Sequence, residues 1–202
     1  VNATLIFTSE QYKQVAQAYI KGLKKAINAG IDISQIYSVA SFFISRWDTK
    51  LLDQIDHHGM FANSIAIDAY NNVFKSLFES KEFKALAEKG AAKQDFLLAS
   101  TGSKASKFAQ EIQRYYPEDV YVKEVQGANI VNTLPINTIR YLIDHGVSAE
   151  STITNNYPLS QEIIKSMEAK GVNLVVEGQE LFQAGMEAFI NDFKDIQNTI
   201  EK

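Results

Sequence analysis

The amino-acid sequence predicts an α/β fold with a parallel sheet, and three observations carry the prediction. Short runs of β-branched and apolar residues alternate with longer amphipathic stretches. The first such pair is sharply punctuated at both ends. The strand-like runs also end in hydroxyl, amide and cationic side chains, as parallel α/β enzymes do at the face where they bind ligands. A barrel and a doubly wound sheet both satisfy this pattern. No GxGxxG or Walker loop is present, so a nucleotide-binding version of the class lacks its usual fingerprint.

The elements follow in order. Residues 1–7 read as a strand, after which Thr8, Ser9 and Glu10 offer a helix cap and an acidic first turn. Tyr12, Val15, Ala16, Tyr19, Leu23, Ala26 and Ile27 then recur at helical spacing until Gly30. Residues 36–43 read as a second strand and 47–55 as a short helix. One or two helices follow over 65–91. Residues 96–100 form a third strand, 105–116 a helix stopped by Pro117, and 120–125 a fourth strand. Helices are predicted over 133–144, 160–170 and 179–200. Residues 172–176 suit either a short strand or the opening of the last helix. In that helix Leu181, Gly185, Met186, Phe189, Phe193, Ile196 and Ile200 form a packing stripe.

Composition narrows the function classes. A chain of 202 residues with 46% hydrophobic and 22% charged residues is globular, of one or at most two domains. Its net charge of −4 gives no attraction for nucleic acid or an acidic membrane. Without cysteine, disulfides and thiolate metal sites are excluded, which is compatible with the cytosol. No apolar run approaches the roughly 20 residues of a membrane span, and the first residues do not read as a secretory leader. They read as a strand already in progress. Four strands are too few to close an eight-stranded barrel, so the expectation is a piece of a longer chain whose N-terminal strands are missing here.

The strand ends supply the candidate site. Asn2 and Thr4 alternate to one face of the first strand. Ser41, Ser45 and Arg46 close the second, Ser100 to Lys104 close the third, and Lys123, Glu124 and Asn132 lie on and after the fourth. Hydroxyls and amides suit a polyol. An Arg offers phosphate a bidentate partner, and a Lys offers a point charge. Residues 100–104 also have the makings of an anion nest before a helix. Each feature has a plainer reading: Asn2 and Thr4 as barrel packing, Arg46 with Asp48 as a surface ion pair, and residues 100–103 as a turn. His57 and His58 beside Asp56 fit a solvated loop better than a metal site, and His145 before Gly146 fits a helix end.

Taken in order, VNATLIF, SVASFFISRWD, LLASTGSK and IVNTLP resemble the transaldolases. FQAGMEAFINDFKDI resembles the terminal helix of the bacterial group, and the likeness spans nearly the whole chain. The resemblance implies a (β/α)₈ barrel of which residues 1–202 are the C-terminal portion of a single domain, from the fifth strand onward. It implies transfer of a dihydroxyacetone unit from a ketose phosphate (sedoheptulose 7-phosphate or fructose 6-phosphate) to an aldose phosphate in the pentose phosphate pathway. It further implies a reaction through a lysine Schiff base, with no metal or organic cofactor, in the cytoplasm. Substrate-binding residues carried over are Asn2, Thr4, Ser41, Arg46 and Ser100, with Lys104 as the candidate second phosphate cation. The Schiff-base lysine is expected upstream of Val1, since Lys104 and Lys123 follow the wrong strands. The expected partners are sugar phosphates and the N-terminal part of the same protein. A non-catalytic sugar-phosphate-binding module and an aldolase that cleaves without transfer are the alternatives.

Overall fold

The computed structural model describes residues 1–56, 58–147 and 150–200. Strand β1 (Asn2–Ile6) leads into α1 (Ser9–Asn28), and the junction is built as the sequence predicts. The Thr8 hydroxyl accepts from Gln11 N at 3.1 Å, while Gln11 Oε1 accepts from Phe7 N at 2.8 Å and Thr8 N at 3.2 Å. This reciprocal box satisfies amides that a helix start leaves open. Tyr12, Ala16, Ile20 and Leu23 bury one face of α1, and the chain reverses at Gly30, where φ is +73°.

Strand β2 (Val39–Phe43) is followed by α2 (Arg46–Leu51), a 3₁₀ turn (Leu52–Gln54) and α3 (Phe61–Asp68). A π-helical turn (Ala69–Phe74) joins α3 to α4 (Lys75–Phe78), and α5 (Lys81–Ala87) precedes β3 (Asp95–Ala99). The remaining elements are a 3₁₀ turn (Ala105–Lys107), α6 (Gln110–Gln113), β4 (Ile130–Asn132), α7 (Ile136–His145), α8 (Thr152–Asn155), α9 (Tyr157–Ala169) and α10 (Leu174–Ile200).

The four strands are parallel and pair in chain order, β1-β2-β3-β4. A doubly wound sheet reverses direction part-way, whereas a barrel adds each strand beside the last. The sequential order decides between the two readings left open by the sequence: this is part of a barrel. One face of the sheet carries Ala40, Phe42, Phe96 and Leu98, all fully buried against the helices. Phe96 is the hub of that layer, with ring centroids 4.9 Å from Tyr12, 5.4 Å from Phe42 and 5.8 Å from Tyr70. Each such ring contributes on the order of 1.5–3 kcal/mol by leaving water. Residues Ser41 and Leu97 alternate to the other face, which in a closed barrel is the interior.

Three expectations are corrected. Residues 120–125 are not a strand: their amides bond locally, Val120 N to Pro117 O at 3.1 Å and Val122 N to Asp119 O at 2.9 Å, in successive turns. The run is apolar because Val120, Tyr121, Val122 and Val125 are buried, and a short apolar run does not by itself distinguish strand from turn. The sheet position goes to Ile130–Asn132. The helix predicted over 105–116 is a 3₁₀ turn and one α-turn; of the two readings offered for residues 172–176, the opening of the last helix is the one the structure has. Along α10, Leu181 and Gly185 are buried, but Met186, Phe189, Phe193, Ile196 and Ile200 are exposed, so most of the expected packing stripe is uncovered in this chain.

Candidate functional site at the strand ends

The side chains read from the sequence meet in pairs. Ser41 Oγ donates to Asn2 Oδ1 at 2.8 Å, across the β1–β2 pairing. The bond occupies the carbonyl end of the Asn2 amide and leaves its NH₂ as a donor on an exposed residue. One strand further on, the hydroxyls of Ser45 and Ser100 lie 2.8 Å apart, and Ser45 N donates to Ser100 O at 3.1 Å. Ser100 has φ of +57°, a left-handed conformation that costs a non-glycine residue about 1–2 kcal/mol. Such strain persists where surrounding bonds hold it, and it recurs at ligand sites.

Arg46 opens α2 directly after Ser45. Its guanidinium lies over the Phe43 ring, 5.1 Å from the centroid. It also abuts α10 at Gly185, where a Cβ would come within 2.9 Å of Arg46 Nη1 and 2.8 Å of Leu5 Cδ2. Lys104, after β3, is half-buried. Its ammonium is pushed below the ordinary lysine range first by burial, then by the positive charges of Lys107 and Arg46. Arg46 and Lys104 follow the ends of two adjacent strands, which the Ser45–Ser100 bonds join. Among the described residues, neither has a carboxylate within ion-pair distance. An unpaired pair of cations at the strand ends, beside hydroxyls and an amide, is stabilised by an anion.

Other candidates are placed elsewhere. The alternation expected for Asn2 and Thr4 is broken by a bulge between Ala3 and Ile6, where Leu5 has φ of +58°. Thr4 instead lines a groove along the unpaired edge of β1, with Gln11 and Gln14 of α1 and Gln179 and Phe182 of α10. Lys123 is exposed in a turn, 3.9 Å from Asp119, and Glu124 accepts from Asn156 Nδ2 at 2.6 Å. Asn132 donates to Tyr121 O at 3.4 Å. The nest expected over 100–104 is partly self-satisfied, since Ser103 Oγ accepts from Ala105 N at 3.3 Å, and a 3₁₀ turn replaces the expected helix. His57 lies outside the described residues. His58 sits between Tyr115 and Tyr116, its Nδ1 3.4 Å from Tyr116 Oη, and burial lowers its pKa. His145 ends α7 with Nδ1 2.9 Å from Tyr141 O, as a helix-end residue should.

The surface ion pair read between Arg46 and Asp48 does not exist. Asp48 is fully buried, and residues two apart on a helix face opposite ways. Its Oδ2 accepts from Tyr121 Oη at 2.8 Å and its Oδ1 from Ala62 N at 3.3 Å. Burial nonetheless outweighs both bonds and pushes its pKa up to about 7. Nothing in the local sequence, Ser45-Arg46-Trp47-Asp48-Thr49-Lys50, announces this burial beyond the adjacent tryptophan.

Residues 1–200 match the family described as Transaldolase/Fructose-6-phosphate aldolase. The chain belongs to that family. Similar proteins in it include a transaldolase of Renibacterium salmoninarum, 35% identical, with 100% of this chain matching 54% of the relative. A transaldolase of Mycolicibacterium paratuberculosis is 36% identical over the same shares, 100% and 54%. Transaldolase 2 of Streptomyces coelicolor is 33% identical, again with 100% of this chain matching 54% of the relative. The chain spans about half the length of the curated relatives it matches. No helix among the described residues is long and apolar enough to cross a membrane.

Within this transaldolase-family chain, the contact of α10 with Arg46 gives a prediction. Gly185→Ala places a methyl where Arg46 Nη1 and Leu5 Cδ2 now sit. Both are side-chain ends, so they shift rather than break the fold, and the gain in helix propensity of up to about 1 kcal/mol offsets the strain. The expected result is a melting temperature within a few degrees of wild type and a several-fold weaker affinity for inorganic phosphate. Unchanged affinity would show that Arg46 keeps its position without this glycine.

Proposed function

We propose that this chain supplies the sugar-phosphate-binding rim of a transaldolase. The observation that carries the reading is that Arg46 and Lys104 follow the adjacent ends of β2 and β3, joined by the Ser45–Ser100 bonds, with no acidic partner among the described residues. Ser41, Asn2 and the Ser45–Ser100 pair provide donors and acceptors for the hydroxyls of a polyol beside that phosphate. Thr4 joins them when the β1 edge is paired. Residues 1–202 are then the C-terminal portion of one (β/α)₈ domain, and the N-terminal strands of the same protein occupy the open β1 edge.

In this reading the protein moves a dihydroxyacetone unit from sedoheptulose 7-phosphate or fructose 6-phosphate to an aldose phosphate, within the pentose phosphate pathway of the cytoplasm. A lysine amine upstream of Val1 forms the Schiff base, and the iminium is the electron sink that permits carbon–carbon cleavage. The rim described here positions the donor and the acceptor for that step, without a metal or organic cofactor. The family description covers an aldolase as well as a transaldolase, so cleavage without transfer is the second reading.

Borohydride reduction of the complete protein in the presence of fructose 6-phosphate is expected to attach a three-carbon adduct to one lysine outside residues 1–202. Mass spectrometry that finds no modified lysine would overturn the enzymatic reading and leave a binding module. Product analysis with and without an acceptor aldose phosphate then separates transfer from simple cleavage.

A further inference from the structure

Asp48 is fully buried, and among the described residues no cation lies within ion-pair distance of it. A lone buried carboxylate usually costs more than an apolar side chain of the same size. What it provides here is two directional bonds to two different segments. Oδ1 holds the first turn of α3 through Ala62 N, and Oδ2 holds Tyr121 in the turns that follow α6. The same turns are bonded again by Asn63 of α3, whose Nδ2 donates to Val120 O at 2.7 Å and Gly59 O at 3.0 Å. From there the connection reaches Lys104. Tyr116, one turn before Tyr121, packs on Phe108 with ring centroids 4.6 Å apart, and its carbonyl accepts from Ser103 Oγ at 2.6 Å. Ser103 is the neighbour of Lys104. On the other side, Asp48 shares the first turn of α2 with Arg46.

We propose that Asp48 is a positioning residue that, through Tyr121, fixes the loop carrying Lys104 relative to the helix start carrying Arg46 and so sets the spacing of the two phosphate-binding cations. The inference rests on the reading of Arg46 and Lys104 as phosphate ligands. Asp48 touches no substrate. It acts by holding two cation-bearing segments in one register, where each alone would relax away from the other's charge.

The test compares kcat/KM for fructose 6-phosphate with that for unphosphorylated fructose in the complete protein. The variants are Tyr121→Phe, Asp48→Leu, Asp48→Asn and Arg46→Ala. Tyr121→Phe removes one hydroxyl without changing the packing volume. It is expected to lower the phosphorylated-to-unphosphorylated ratio about tenfold through KM, with kcat within about threefold, and Asp48→Leu at least as much. Asp48→Asn keeps an acceptor for Ala62 N and a donor to Tyr121 Oη, so it is expected to retain the ratio within about threefold. A merely structural role would lower melting temperatures and leave all three ratios alone. If Tyr121→Phe keeps the ratio while Arg46→Ala collapses it, the proposal fails and the phosphate site stands. If Arg46→Ala also keeps it, both fall. Should Asp48→Leu not fold, Tyr121→Phe decides alone.

Discussion

Replacing Arg46 by Ala is expected to raise the KM for a phosphorylated ketose donor roughly 30- to 700-fold, the equivalent of about 2–4 kcal/mol. The magnitude follows from where the guanidinium sits. It is held on one side by the Phe43 ring and on the other by the α10 backbone at Gly185, so much of its hydration is already lost before ligand arrives. A cation in that setting gains more from a phosphate than an exposed one does. Removing it also leaves Lys104, whose ammonium is destabilised by burial, to bind the phosphate alone. Arg46→Lys should fall between the two, since a lysine restores a charge but not the planar fork. The measurement is KM for fructose 6-phosphate against unphosphorylated fructose. An unchanged KM for the phosphorylated donor in Arg46→Ala would remove Arg46 from the site.

How much of this was legible in the sequence depends on the range of the interaction. The βα punctuation at Thr8 to Gln11 could be read directly, because a capping box is made by residues three apart. That Arg46, Ser100 and Lys104 follow the ends of β2 and β3 could be read because the apolar runs that mark those strands are local. The mutual placement of Ser41 with Asn2 and of Ser45 with Ser100 then follows from pairing in chain order. Thr4 could not be placed by alternation. A bulge shifts its side chain, and nothing local in a run such as Ala3-Thr4-Leu5 announces a left-handed Leu5. The buried Asp48 was hidden for the opposite reason. Its partner Tyr121 is 73 residues away, within a stretch whose apolar pattern resembled a strand, while its neighbour Arg46 offered an obvious but false partner. A local pattern gives most of the elements and the positions that follow the strands. The long-range polar bonds that hold the rim together need coordinates.

Gly59→Ala is the second substitution with a large expected effect, a loss of about 3–5 kcal/mol of stability. Gly59 has φ of +79°, where any L side chain is strained by about 1–2 kcal/mol. A Cβ there would also lie 2.2 Å from Tyr115 O, a backbone atom that moves only if residues around it move. The site is close-packed by design of its bonds: Gly59 O accepts from Asn63 Nδ2, the same amide that ties down Val120 O. Gly30→Ala isolates the two costs, since its φ of +73° is within a few degrees of that of Gly59 but a Cβ there meets open space, and Ile31 N donates to Ala26 O at 2.9 Å as at a left-handed helix end. That variant should lose only the backbone part, roughly 1 kcal/mol. The difference between the two urea-unfolding free energies therefore reports the clash alone. Because the displaced atoms belong to Tyr115, and Tyr116 O holds Ser103 beside Lys104, Gly59→Ala protein that still folds should also bind phosphate more weakly. Equal stability losses in the two alanine variants would mean that residues 58–60 and 115–116 do not approach each other as described.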